Sequence, residues 1–318
     1  MKSTFFSIRN TLFSILAVMV LLILGFSLLN SFTAYNALLN GQRVAALTAT
    51  ADQLLAGANN WAVERGATNA ALNGTDAVGS AARKTIDQRR AIADEAFANA
   101  VAALQGDGFD AALLSEAKRK FSDMMALRRR VDAELSKPKA KRDRQVMRSF
   151  VPTITGLIAA SQNVRGRLFD GMNLNGVTAN LVSLKHFAWL MSEYAGRERA
   201  IMGGAIGGGK PVTPEKLTVL AGYQGRVNSG WQLVKSGAED ESMSGEVKSA
   251  VQTAAANYFG EFQQLRSRVY AAATKSAKYP LPPATWISEA TTGINTLLAI
   301  NEAVTQAWQS HGGEKKAN

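Results

Sequence analysis

The first proline of the chain is Pro138. A run of 137 residues without proline can be built from long uninterrupted helices, because proline is the residue that most reliably stops one. Hydrophobic spacing agrees. Ile287, Ala290, Ile294, Leu297, Asn301, Val304 and Trp308 recur at intervals of three and four, the seam of a helix in a bundle. Leu114, Ala117, Phe121, Met124, Arg128, Val131 and Leu135 do the same, as do Val247, Val251, Ala254, Tyr258, Phe262, Leu265 and Val269. Period-two runs, the signature of half-buried strands, are absent. The chain is therefore predicted to be all-α.

Breaks fall at Asn73–Ser80, Gly106–Asp110, Lys137–Arg142, Gly207–Thr213, Gly237–Gly245 and Tyr279–Pro283, each rich in Gly, Pro or polar residues. They predict seven helices. The first runs from the N-terminal region to about Leu72. The fourth runs from Asp143 to Ile206, with a bend expected near Gly171–Gly176. Residues 10–42 carry no charge, and Thr11–Asn30 is long enough to cross a bilayer, since twenty helical residues span roughly 30 Å. Lys2 and Arg9 precede this stretch and no acid occurs before Asp52, which predicts a cytoplasmic N-terminus and an extracytoplasmic bulk. The rival reading is a cleaved signal peptide, but SFTAYNALL offers no clear small-x-small cleavage site. The expectation is a single-span anchor over residues 1–34 in a bacterial inner membrane.

The remainder repeats at an offset of 134 residues. Glu64-Arg65 matches Glu198-Arg199, Asn73-Gly74 matches Gly207-Gly208, and Ile86, Ala93 and Phe97 match Leu220, Val227 and Trp231. Two stacked antiparallel four-helix bundles follow as the expectation, residues 35–169 and 170–310. They share a long central helix and are followed by a polar tail over 311–318.

Composition narrows the chemistry. With no Cys and only His186 and His311, thiolate metal sites, Cys nucleophiles and His-based triads lack their ingredients. GGAIGGGK at 203–210 lacks the Ser or Thr of a phosphate-binding loop and follows no strand. His186 has no second ligand at helical spacing, and the five tryptophans mostly occupy seam positions suited to packing. No enzyme, cofactor or metal is expected. The net charge of +11 favours anions. The basic stretches Arg128–Arg130 and Lys137–Arg144 read as solvated bundle ends, with no nucleic-acid partner outside a membrane.

That leaves arginine. Its planar fork pairs with flat anions such as carboxylate or nitrate. Arg65 and Arg199 are ligand candidates by recurrence, each with an adjacent glutamate, Glu64 or Glu198, able to hold the fork. Arg90 sits between core positions, with Gln224 its counterpart; Arg128 interrupts a seam where Phe262 stands in the other repeat. Arg226 joins the set because Gln224-Gly225-Arg226 is akin to Gln88-Arg89-Arg90 with a slip of two residues. A charge facing a core needs a ligand or a buried partner, unless it snorkels to water.

The segments NNWAVERGATNAALNG and IDQRRAIAD resemble the nitrate- and nitrite-sensing (NIT) domain, within the wider set of helical sensor modules of bacterial chemoreceptors and histidine kinases. That family is similar in having Glu-Arg-Gly on its first helix, a Gly-rich turn, then Gln-Arg on the next. The resemblance implies that arginines facing the bundle interior hold a small anion. It places Arg65, flanked by Glu64 and Gly66, in the first motif, and Arg89 and Arg90 in the second. Arg199 and Arg226 follow by internal repeat. It also implies signal transduction or chemotaxis and dimerisation through the first helices. Receptors of this kind continue into a second membrane helix, a HAMP linker and a signalling domain. None follows in these 318 residues, so the expectation is a truncated receptor or an anchored domain working through a signalling partner. Two alternatives stand beside anion sensing: a sensor of organic acids or amino acids, and a helical scaffold that docks proteins.

Overall fold

A computed structural model describes residues 8–105, 108–172, 174–275 and 278–317, with side chains for 10–308 of these. Lys2, and the side chains of Arg9 and His311, lie outside that set. Among the described residues all regular structure is helical.

The proline-free N-terminal half forms α1 (Ile8–Asn73), α2 (Ser80–Leu104) and α3 (Ala111–Leu135), followed by α4 (Arg144–Gly166). The second half forms α5 (Gly176–Gly208), α6 (Pro214–Ala238), α7 (Gly245–Ala256), a five-residue π turn at Asn257–Glu261, α8 (Phe262–Lys275) and α9 (Pro283–Ala317). Helix starts carry their own stop-and-start chemistry. The side chains of Asp110, Asp143, Asn175, Thr213 and Ser244 each accept hydrogen bonds from backbone N–H groups of the helix they open. Each such cap is worth about 1 kcal/mol. Every break expected from the sequence is a break here.

One expectation fails. The fourth helix is not a continuous central rod. It ends at Gly166 and restarts at Gly176, giving α4 and α5. Two local features cause this. Gly171 adopts a left-handed backbone (φ 73°), which a continuing helix cannot accommodate. Asn175 then caps a new start by accepting from the Thr178 N–H at 2.8 Å. At the other end, α9 continues to Ala317, through most of the segment expected to be a polar tail.

Two apolar cores form. The first is built by α1–α4 around Leu54, Trp61, Phe97, Met124, Phe150 and Leu157. The second is built by α5–α9 around Met191, Leu220, Val227, Tyr258, Trp286 and Leu297. Within the first, α1 packs on α2 and α4, and α4 on α3; within the second, α5 packs on α6 and α9, and α9 on α7. Repeat-related positions land alike: Ile86 and Leu220, Ala93 and Val227, Phe97 and Trp231 are all buried.

The halves meet along α1 and α5. Asp52 of α1 pairs with Lys185 of α5, and further on Arg65 of α1 pairs with Glu193 of α5. Numbers rise together in both helices, so the two run side by side in the same direction. Trp189 of α5 reaches into the first core. Residues 10–43 of α1 are exposed along their whole length. That stretch contains a window of mean hydropathy 2.8 with no buried side chain, an apolar surface that water alone does not suit.

Candidate functional site

Glu64 and Arg65 are neighbours in sequence and face different parts of the molecule, because successive helical residues point about 100° apart. Glu64 turns into the first core and is fully buried. Its Oε1 accepts from Arg90 Nε at 2.7 Å and Arg128 Nε at 2.9 Å, and its Oε2 accepts from Arg128 Nη2 at 2.5 Å. Arg90 also reaches Asp132 at 2.8 Å, and Arg128 reaches Asp94 at 2.7 Å. Trp61 Nε1 donates to the other oxygen of Asp94. Asp87 stands 3.7 Å from Arg90, and Arg83 pairs with both Asp87 and Asp132, so four carboxylates meet three guanidiniums. Arg128 is pulled down by burial, but Glu64 and Asp94 outweigh this and leave it above the usual arginine range. The knot is over-supplied with acid and offers an anion little.

The second half repeats the theme. Glu198 is buried and accepts from Arg266 Nε at 2.6 Å and from the Tyr270 hydroxyl. The guanidinium of Arg266 lies 4.5 Å from the Tyr270 ring centre. Burial first, and then the Glu198 charge, push the Tyr270 hydroxyl far above its ordinary value. Neither glutamate holds the arginine beside it, contrary to the expectation from the dipeptide.

Arg65 and Arg199 both lie at the junction of the two halves. Arg65 makes a two-pronged pair with Glu193, at 2.8 and 3.0 Å, and its Nη1 also reaches Thr155 Oγ1 of α4 at 3.2 Å. Glu193 accepts in addition from Arg197 Nε at 2.7 Å. Burial raises the Glu193 carboxyl, but the charges and hydrogen bonds of Arg65 and Arg197 together hold it below the usual carboxylate range. Arg199 donates to Thr291 Oγ1 of α9 at 2.6 Å, and no carboxylate pairs with it among the described residues. Burial and the facing charge of Arg65 lower its pKa. Two guanidiniums therefore share one carboxylate, and a third, Arg199, faces Arg65 without a carboxylate of its own among the described residues. Arg226 lies beside them: it donates to the Tyr194 hydroxyl and lies 4.6 Å from that ring centre, while Arg197 lies 4.9 Å from it.

Of the six residues singled out in the sequence, Arg65 and Arg199 come together at the junction, with Arg226 adjoining through Tyr194. Glu64 and Arg90 belong to the first knot and Glu198 to the second. Sequence reasoning missed Glu193, Arg197 and Arg266. The first two sit one helical turn apart, and that spacing was a readable ion-pair signal. Arg266 was hidden because it stands four residues beyond the position equivalent to Arg128. Arg142, read as part of a solvated basic stretch, is buried and donates to the carbonyls of Ala71, Leu72, Gly74, Asp76, Glu134 and Lys137, tying the end of α1 to the α3–α4 connection.

The class the fold and site define is an all-helical double array with a buried arginine cluster between its halves, in which Arg199 has no carboxylate partner among the described residues. Residues 58–309 match the family model described as nitrate and nitrite sensing, and the chain belongs to that family. No curated protein and no solved structure matches it.

Proposed function

We propose that this protein is a membrane-anchored sensor whose ligand, nitrate or nitrite, binds between the two repeats, bridging Arg65 of α1 and Arg199 of α5. The observation that carries the reading is the excess of guanidinium over carboxylate at the junction: Arg65 and Arg197 share Glu193, and Arg199, facing Arg65, has no carboxylate partner among the described residues. A planar anion matches the guanidinium fork, and the Thr155 and Thr291 hydroxyls beside the two arginines supply neutral donors. Glu193 is the internal competitor. Anion and carboxylate both seek Arg65, so ligand entry loosens the Arg65–Glu193 pair and frees α1 to shift against α5. Ligand changes the balance of arrangements only because it prefers one of them.

The exposed apolar stretch of α1 serves as the single membrane span, with the N-terminus cytoplasmic and the two repeats outside. A shift of α1 is thereby passed into the membrane, to a second copy of the chain or to a signalling partner. Arg90, Arg226, Glu64 and Glu198 act around the anion site rather than on the ligand: they set the position of α1, α2, α5 and α6.

The test is a thermal-unfolding and calorimetric titration of the full chain in lipid nanodiscs with nitrate, nitrite, chloride and sulfate. Nitrate or nitrite should raise the melting temperature saturably, since a ligand that binds the folded state stabilises it. Arg65→Met and Arg199→Met should each abolish the rise. Absence of any nitrate or nitrite response in the wild-type chain, or an unchanged response in both variants, overturns the assignment.

A further inference from the structure

A cavity of about 240 Å³ lies where α1, α4, α5 and α9 meet, lined by Asp52, Arg165, Lys185 and His186 together with Phe169, Leu181, Phe187 and Trp308. Asp52 is thirteen residues before Arg65 on the same helix, about 20 Å at the rise of an α-helix. The cavity is therefore separate from the junction arginines.

Arg165 is its notable member. It is 6% exposed, and no carboxylate pairs with it among the described residues. Its Nε donates to Gln162 Oε1, and Gln162 is itself fixed by donating to the Leu54 carbonyl of α1 at 3.1 Å. Its Nη2 meets His186 Nδ1 at 3.1 Å. The guanidinium lies 5.5 Å from the Trp189 ring centre. These contacts leave Nη1 without a hydrogen-bond partner among the described residues. The one acid at the cavity, Asp52, is engaged by Lys185. A buried guanidinium held by neutral groups alone is expensive unless an anion joins it. Arg165 departs downward from the ordinary arginine value, to about 10, through burial that Asp52 only partly offsets.

We infer that this cavity is a second ligand site, built for a small monocarboxylate with an apolar body: the carboxylate on Arg165, the body against Phe169, Leu181, Phe187 and Trp308. The apolar wall argues against a purely inorganic anion, and the volume sits just under the range usual for drug-sized ligands. His186 assists as a neutral donor. Arg165 donates to Nδ1, which places the imidazole proton on Nε2. The site joins elements of both halves, so its occupant stiffens the α1–α5 contact independently of the junction arginines.

Benzoate and its neutral isostere benzamide are the probes, titrated into the full chain in nanodiscs by calorimetry, with nitrate in a parallel arm. Benzoate should bind saturably and benzamide should not. Arg165→Met should weaken benzoate at least about tenfold, the loss of a charge-assisted pair, while Arg199→Met leaves benzoate binding intact. Val182→Phe, which narrows the cavity from its wall without touching the arginine, should also weaken benzoate. It decides the matter if circular dichroism shows that the Arg165 variant does not fold. Failure of wild-type chain to bind benzoate, equal binding of benzoate and benzamide, or loss of benzoate binding in Arg199→Met with retention in Arg165→Met overturns the inference. The benzoate arm does not depend on nitrate, so a silent nitrate titration beside a positive benzoate one would sink only the junction assignment.

Discussion

Glu64 and Arg65 stand one residue apart and lead into regions of opposite character. Around Glu64, four carboxylates meet three guanidiniums within one half, with Glu64, Arg90 and Arg128 buried and the outer acids partly exposed. Around Arg65, two guanidiniums share one carboxylate where the halves join, and Arg199 adds a third positive charge facing Arg65. Both are buried polar clusters with short hydrogen bonds. The ratio of charges separates a cluster whose guanidiniums all have counter-ions, although Arg90 Nη2 is buried without a hydrogen-bond partner, from one in which Arg199 has no counter-ion among the described residues. Burying charge is tolerated when each ion finds a counter-ion. At the junction that condition is met for Arg65 and unmet for Arg199.

The largest expected effect comes from breaking the cluster around Glu64. Glu64→Gln leaves Arg90 and Arg128 buried with the partly exposed outer acids Asp87, Asp94 and Asp132. Removing one partner of a buried pair costs about 3–5 kcal/mol, and chemical denaturation of the full chain in detergent should show a loss of that order, with no rescue by nitrate. Next is Glu193→Gln. It strips the carboxylate that Arg65 and Arg197 share, so the ligand-free protein should lose about 2–4 kcal/mol, at or a little below the same range because the neutral amide still accepts hydrogen bonds. Here nitrate should restore much of the loss, and its affinity should rise above that of the wild-type chain because its competitor is gone. Equal behaviour of the two variants toward nitrate would erase the distinction between the regions.

Arg199→Met is a smaller perturbation to stability and a sharper one to function. Arg199 is part-buried beside another arginine, and its described side-chain partner is a hydroxyl. Stability should change by less than about 1 kcal/mol, or rise, since an unpaired charge is replaced by an apolar chain of similar length. Nitrate-induced stabilisation should vanish.

Much of this was legible in the sequence, and the reasons differ by feature. Helices and breaks were readable because they rest on local chemistry: proline scarcity, seam spacing, and capping residues such as Asp110 and Thr213. The division of the fourth helix was foreshadowed by Gly171 but not decided by it. A glycine bends or ends a helix according to whether the next segment has somewhere else to pack, and α5 packs on α6 and α9. Arg65 and Arg199 were found by their repeat. Their meeting across the junction could not be, because repeat equivalence says nothing about how the copies face each other. Glu193 was missed for the same reason: its partner lies 128 residues away on another helix.

The smallest expected effect lies at the other end of the α1–α5 contact and concerns His186. Burial, and then the charge of Arg165, lower its pKa to about 4. The charged groups facing it are Arg165 from α4 and, across the cavity, Lys185 with Asp52 of α1. The unfolded chain carries an ordinary imidazole near 6.5. Between these values the unfolded state binds the proton and the folded state does not. Stability is therefore fully present above about pH 6.5, declines as pH falls, and stops declining on this account below about pH 4. The slope cannot exceed about 1.4 kcal/mol per pH unit for one group, and the part-exposed ring should fall well short of that. His186→Asn should flatten the stability profile between pH 6.5 and 5. Denaturation midpoints measured at half-unit steps through that window, for both proteins, isolate the difference. A profile that stays equally steep in the variant would place the acid sensitivity elsewhere. A profile that flattens would show that the imidazole beside Arg165 is held neutral, by burial first and by the arginine's charge second.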